Sequence, residues 1–106
     1  MLLILNRADG SQRIFELQPG SNLIGRWDPT TSSYPEIDLE QEDIDAKVSR
    51  KHAVIECTDG QAYVLDAGSL NGTIINRKDQ LENGKRYPLK DGDEILIGKL
   101  AFTFRL

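Results

Sequence analysis

Short apolar runs separated by turn dipeptides dominate the chain. Residues 101–105 (Ala-Phe-Thr-Phe-Arg) alternate strictly, so both phenylalanines fall on one face, as in a half-buried strand. Comparable runs occur at 2–5, 53–57, 62–66 and 94–97. Asp-Gly, Pro-Gly or Asn-Gly pairs, which favour tight turns, lie at 9–10, 19–20, 59–60, 83–84 and 91–92. Because no window keeps apolar residues at helical spacing, the pattern predicts an all-β antiparallel sandwich of about ten to eleven short strands.

Residues 27–47 break this rhythm with a long polar stretch that contains two prolines, and six carboxylates lie between Glu36 and Asp45. We expect a loop with a short strand at 37–39 and a helical turn near 41–45. Loops of this length inside a domain are often functional. The carboxylates lack the glycine and closing glutamate of an EF-hand calcium loop, so a solvated acidic face is favoured over a metal site. Trp27 is expected to pack within the loop, with a place in the lining of the ligand groove as the alternative.

Length and composition limit the choices further. The 106 residues, 39% of them hydrophobic, fit one domain over residues 1–106. The formal net charge of −4 argues against nonspecific nucleic-acid binding, which needs many cationic side chains. The apolar run at 2–5 is far too short for a membrane span. Cys57 is the only cysteine, so we expect a core position, no internal disulfide and a cytoplasmic location.

Three polar, glycine-containing segments interrupt the strand pattern and point to a binding site. They are Gly25-Arg26, residues 49–53 (Ser-Arg-Lys-His-Ala) and residues 69–73 (Ser-Leu-Asn-Gly-Thr), with Asn76 shortly after. Each lies at a predicted strand end, where loops of a sandwich converge. Together they offer guanidinium, ammonium, hydroxyl and carboxamide groups and contain no carboxylate. This inventory suits a dianion such as phosphate, which accepts bidentate arginine contacts and hydroxyl donors.

The order of these segments resembles the forkhead-associated (FHA) domain family. The chain carries Gly-Arg, Ser-x-x-His and Asn-Gly-Thr-x-x-Asn in series, followed by Gly-Asp-Glu-Ile at 92–95. The resemblance implies a β-sandwich with its recognition loops at one end. It also implies binding of a protein or peptide that carries phosphothreonine, with no catalytic residue, no cofactor and no metal. Oligomeric state does not follow from the resemblance.

The resemblance assigns roles to individual residues. Arg26 and Ser49 are expected to hold the phosphate, with Arg50 assisting, and Asn71 to bind the peptide main chain. Leu70 stands where the family often has a small polar residue, which predicts one fewer hydrogen bond to the phosphate.

Other residues are expected to support the site or to read the flanks of the peptide. Lys47 lies where it could meet an acidic ligand side chain beyond the phosphothreonine. Gly25, His52, Gly72 and Thr73 are expected to shape and tie the loops.

Several alternatives stay open. The same loops could bind a partner surface without phosphate, and Leu70 and the acidic net charge are the features that favour this alternative. A Ser49–His52 hydrolase is disfavoured because a third group and a Gly-x-Ser-x-Gly elbow are missing. Asn71-Gly72 could form a hairpin turn, present a binding residue, or do both. The acidic loop could select against acidic flanks or compete for the basic pocket.

Overall fold

The computed structural model describes residues 1–32 and 34–106, and this part of the chain forms eleven strands in two sheets. The strands are β1 (Leu2–Asn6), β2 (Gln12–Glu16), β3 (Gly20–Gly25), β4 (Ile37–Asp38), β5 (Lys51–Thr58), β6 (Gln61–Asp66), β7 (Thr73–Ile75), β8 (Asp79–Gln80), β9 (Tyr87–Leu89), β10 (Glu94–Ile97) and β11 (Leu100–Arg105). One sheet has the order β2-β1-β11-β10-β7-β8, and the other has β4-β3-β5-β6-β9. The predicted all-β sandwich is therefore confirmed. Within the described residues, no helix is long and apolar enough to cross a bilayer.

Strand pairing is antiparallel throughout the described residues except between β3 and β4. The strand predicted at 37–39 is found as β4, which runs beside the end of β3 in the same direction. The helical turn predicted near 41–45 is found as short turns. They begin with Leu39, whose carbonyl accepts the Asp43 N–H at 3.0 Å.

The core lies between the sheets and follows the strand alternation read from the sequence. Phe102 and Phe104 are fully buried, and their register neighbours Leu5 and Leu3 are buried beside them. Burying such a side chain contributes about 1.5–3 kcal/mol. Cys57 is buried and free in the same cluster, as predicted.

A β-bulge sits where β3 meets the start of β5. Ile24 is opposite Ala53 and Gly25 is opposite Lys51, so His52 is the extra residue. The bulge breaks the alternation, and the consecutive side chains of His52 and Ala53 are both fully buried. This places a polar ring inside the sandwich directly below the loop that precedes β5.

Candidate functional site

The three polar segments meet at one end of the sandwich because of the strand directions. β3 ends where β5 begins, and β6 ends where it pairs with Ala53 near the start of β5. Residues 67–72 then cross to the other sheet and enter β7. The loops before β5 and after β6 consequently face each other, next to the end of β3.

Arg26 is fixed beside the segment that contains Ser49. Its Nε donates to the carbonyl of Val48 at 2.7 Å, and its backbone N–H donates to the carbonyl of Arg50 at 3.1 Å. The two contacts bracket Ser49. Within the described residues, the terminal guanidinium nitrogens of Arg26 make no hydrogen bond, and the side chain is 28% exposed. The guanidinium is thus held by one nitrogen while its outer edge faces the loop surface.

Gly25 allows this close approach of two backbones. A Cβ at this position would lie 1.9 Å from the carbonyl oxygen of Arg50. Only a glycine lets the end of β3 touch the loop before β5, which is the contact that brings Arg26 to Ser49.

His52 ties the two recognition loops together. Its Nδ1 accepts the backbone N–H of Ser49 at 3.0 Å, and its Nε2 lies 2.8 Å from the carbonyl oxygen of Gly72. An acceptor at Nδ1 and a donor at Nε2 require the neutral ring with its proton on Nε2. Burial lowers the pKa of His52, against the raising effect of the hydrogen bond to Gly72. The hydroxyl of Ser49 completes the link by accepting the N–H of Leu70 at 3.0 Å.

Asp66 organises residues 68–73, and sequence analysis missed it. Its carboxylate accepts the N–H groups of Gly68 and Ser69 and the hydroxyls of Ser69 and Thr73, at 2.6–2.9 Å. Burial raises the pKa of Asp66, but these hydrogen bonds outweigh it and hold the pKa below its ordinary value. The local signal was an aspartate followed two and three residues later by Gly and Ser, a pattern typical of Asx turns.

Asp43 organises the loop before Ser49 in the same way. This buried carboxylate accepts the N–H of Lys47 at 2.8 Å and that of Val48 at 2.9 Å, and it lies 3.9 Å from Nε of Arg26. The carbonyl of Lys47 accepts the carboxamide N–H of Asn71 at 3.0 Å. Gly98 packs directly against the backbone of Lys47. A Cβ added at Gly98 would lie 3.0 Å from the Lys47 carbonyl group. Lys47 and Asn71 are exposed neighbours on the rim.

Carboxylates approach both guanidiniums, although the three motifs contain none. Oε2 of Glu40 lies 3.8 Å from Nη1 of Arg26, and Arg50 donates from Nη1 to Oδ1 of Asp28 at 3.2 Å. Both carboxylates come from the loop between β3 and β5, which sequence analysis could not position. The positive charges of Arg26 and Arg50 are therefore already partly neutralised by carboxylates of the same chain.

The structure excludes one alternative left open for Asn71-Gly72, and it separates Asn76 from the other motif residues. Asn71-Gly72 forms no hairpin turn, because β6 and β7 belong to different sheets. Asn76 lies at the far end of β7 and is not brought to the pocket. Its carboxamide bonds instead to the side chain of Asp93 at 3.0 Å and the N–H of Glu94 at 2.8 Å.

The carboxylates between Glu36 and Asp45 are also less exposed to solvent than expected. Glu42 is paired with Arg7 at 2.8 Å, and Asp43 is buried. The hydrogen bond from Arg7 lowers the pKa of Glu42. Asp45 pairs with Lys99 at 3.7 Å. The carboxylates thus anchor loops one by one, and no group of three or more acidic, histidine or cysteine side chains suited to a metal ion occurs in the described part of the chain.

Leu70 stands at the tip of the loop, 89% exposed, with Ser69 and Asn71 on either side. Its backbone is part of the network through Ser49, but its side chain projects into solvent. The structure thus brings together Arg26, Lys47, Ser49, Arg50, Leu70 and Asn71 on the surface, over a support made by Gly25, His52, Gly72 and Thr73.

Comparison with known proteins identifies the family of this chain. The FHA domain family matches residues 22–98. An oxoglutarate dehydrogenase inhibitor of Corynebacterium efficiens is 36% identical over 103 residues, which are 97% of this chain and 63% of that protein. The chain therefore spans less than two thirds of that relative.

Solved structures extend the likeness to the fold. The FhaA FHA domain complexed with the intracellular domain of Rv3910 has a TM-score of 0.74 and 30% identity, covering 96% of each chain. Mycobacterium tuberculosis EmbR in complex with a low affinity phosphopeptide has a TM-score of 0.74 and 31% identity, covering 98% of this chain and 24% of that one. From the family match, the relatives and the two-sheet architecture, the chain belongs to the FHA domain family.

Proposed function

We propose that this chain is a phosphothreonine-dependent module that binds peptides or proteins in Ser/Thr kinase signalling, without catalytic activity of its own. The observation that carries the proposal is the contact of Arg26 with the Val48 carbonyl, one residue before Ser49. It sets a guanidinium beside a hydroxyl on a loop that also presents Arg50.

The chemistry of these groups suits a phosphorylated side chain. Phosphorylation adds roughly −1.5 to −2 charge and three acceptor oxygens. Arg26 supplies a planar fork of donors and Ser49 a hydroxyl. Hydrogen bonds to charged groups contribute about 1.5–3 kcal/mol each, so two of them account for a large part of a micromolar affinity of about −8 kcal/mol.

Asn71 is proposed to hydrogen-bond to the main chain of the ligand. Its carboxamide sits at the rim and donates to the Lys47 carbonyl, which leaves its oxygen to accept from a peptide N–H. Preference for threonine over serine requires an apolar niche for the γ-methyl group, whose burial contributes about 0.8 kcal/mol.

The relatives support a regulatory role for this chain. A phosphopeptide occupies the EmbR structure, and the Corynebacterium efficiens relative is named as an inhibitor of oxoglutarate dehydrogenase. We infer that this chain acts likewise by binding a protein partner. We assign residues 1–106 to one domain, since β1 and β11 share the core with the strands of the matched region. The buried free thiol of Cys57 fits the reducing cytoplasm.

Isothermal titration with paired peptides tests the proposal. A degenerate phosphothreonine library first identifies a binding sequence, which is then titrated as the phosphothreonine, phosphoserine and unmodified peptide. We expect the phosphothreonine form to bind at least about a hundredfold more tightly than the unmodified one. Equal affinity for both forms would refute it.

Phosphate-independent binding is the second candidate, and the carboxylates favour it. Glu40 and Asp28 already lie beside Arg26 and Arg50, and Leu70 exposes an apolar side chain at the loop tip. In that case Leu70→Ala would weaken partner binding while Arg26→Lys would not.

A further inference from the structure

A surface cleft of about 310 Å³ opens beside Arg26 and is not explained by phosphate binding. It lies between the residues that follow β3 and those that follow β4. Its lining includes Trp27, Tyr34, Asp38 and Glu40. Glu40 also lies 3.8 Å from Arg26, so one side chain separates the cleft from the proposed phosphate site.

Two aromatic rings form one part of the lining. Trp27 and Tyr34 stack with centroids 5.5 Å apart and an angle of 25° between their planes. The faces of such rings attract ammonium and guanidinium groups, tryptophan most strongly.

The charged groups in the lining leave an excess of negative charge. Arg13 also borders the cleft, but it lies 3.3 Å from Glu42 and its guanidinium covers the ring of Phe15 at 4.5 Å. Asp38 uses Oδ1 to accept the backbone N–H groups of Trp27 and Glu40. The Glu40 carboxylate accepts no hydrogen bond within the described residues, and its side chain is 52% exposed.

Phosphate binding would change the electrostatic environment of the Glu40 carboxylate. In the free chain this carboxylate neutralises part of the charge on Arg26. A phosphate that takes Arg26 brings a second negative group close to Glu40, and like charges at short range repel. The repulsion is relieved if the same ligand brings a cation to the cleft.

We propose that this cleft is a subsite for a lysine or arginine side chain that flanks the phosphothreonine, so that the module selects basic-flanked phosphopeptides. The inference rests on the proposed function. An extended peptide advances about 3.3–3.6 Å per residue, so a long basic side chain a few positions from the phosphothreonine reaches the cleft. Glu40 and the Trp27–Tyr34 pair are then specificity-determining residues.

A peptide scan on the 106-residue chain tests this subsite. Each position from four before to four after the phosphothreonine is replaced in turn by Lys, Gln and Glu, and affinities are measured by fluorescence anisotropy. We expect one flank position at which Lys binds about tenfold more tightly than Gln, and Glu more weakly than Gln.

Glu40→Gln should remove that preference and strengthen binding of the Gln peptide, because the counter-charge on Arg26 is gone. Tyr34→Leu should reduce the Lys preference by severalfold. Asp45→Asn is the matched control, since this exposed carboxylate pairs with Lys99 and does not line the cleft.

The outcomes separate the two proposals. Strong phosphate dependence without a basic preference at any position would overturn the subsite alone. A preference that Asp45→Asn removes as fully as Glu40→Gln would reduce it to overall charge, and would also overturn the subsite. Equal binding of phosphorylated and unmodified peptides would overturn both.

Discussion

The backbone N–H of Ser49 donates a hydrogen bond of 3.0 Å to Nδ1 of His52, the only histidine of the chain. The same ring holds the Gly72 carbonyl of the facing loop through Nε2. A single neutral imidazole therefore spans both recognition loops. A proton on Nδ1 would abolish the first contact, because the ring would then have no acceptor.

The protein should become less stable as the pH falls from neutral to mildly acidic values, because of His52. Burial lowers its pKa in the folded state, so the unfolded chain binds more protons once the pH drops below the usual value of about 6.5. The free energy of unfolding should thus decrease as the pH falls from 7.5 to 5.5. Urea titrations at both values measure it. The free energy of unfolding of His52→Gln should depend less on pH. An equally steep pH dependence in that variant would contradict the role given to His52.

Asp66→Asn should destabilise the fold and weaken phosphopeptide binding. The asparagine oxygen can still accept the N–H groups of Gly68 and Ser69, but its nitrogen cannot accept the hydroxyls of Ser69 and Thr73. Two of the four hydrogen bonds are then lost, at a cost of about 3 kcal/mol. Urea denaturation measures the stability. Because the pKa of Asp66 is lowered in the fold, its contribution is present above the usual value of 3.8 and is lost as the pH falls below it. Asp79→Asn, at an exposed strand position, should change neither stability nor binding.

Gly25→Ala should push the end of β3 away from the loop before β5. Overpacking of this kind costs about 1–3 kcal/mol, and the affinity for phosphopeptide should fall with it. Gly10→Ala is the control, since a Cβ there meets nothing within 4 Å and adds only the strain of a positive φ. It should lower the free energy of unfolding by about 1 kcal/mol and leave binding unchanged. If both variants bind equally well, the contact does not position Arg26.

Arg26→Lys should weaken phosphopeptide binding by about ten- to hundredfold although the charge is kept. A lysine cannot both bond to the Val48 carbonyl and present a planar fork to phosphate. Titration calorimetry measures the affinity, and thermal unfolding checks that the fold is intact. Arg77→Lys changes an arginine that pairs with Glu94 at 2.7 Å, in the turn beyond the far end of β7, and should have no effect on binding.

Leu70→Ser should strengthen binding of a phosphothreonine peptide by about tenfold, by adding one hydroxyl donor at the loop tip. The side chain is almost fully exposed, so the stability should change by less than about 0.5 kcal/mol. Leu70→Ala separates the gain of a hydroxyl from the loss of the leucine. Stronger binding in both variants would mean that the leucine merely obstructs the ligand.

Local alternation predicted much of the fold. The strands around Phe102 and Phe104, the short strand at Ile37 and the buried Cys57 follow from side-chain periodicity and turn residues, which are short-range properties. The grouping of Arg26, Ser49 and Asn71 came from the order of family motifs. The position of these residues at predicted strand ends already suggested that their loops converge, but which strand ends meet became visible only with the sheet order.

Periodicity could not identify the partners of the acidic residues. The carboxylates of Asp43 and Asp66 bond to backbone N–H groups of their own loops, while Glu42 and Glu40 reach arginines 35 and 14 residues away in the chain. Such choices depend on tertiary placement. The bulge at His52 could not be predicted from two-residue alternation either, because a bulge interrupts that alternation.

The parallel pairing of β3 with β4 has a consequence for how such modules diversify. Both strands run toward the pocket, so the chain between them must leave this pole and return to it, and its two anchors are Gly25 and Asp38. Residues can be inserted or deleted in between without moving Arg26 on one side or Glu40 on the other. The surface beside Arg26 can therefore change with the size of this excursion while the contact between Arg26 and the loop before β5 stays the same.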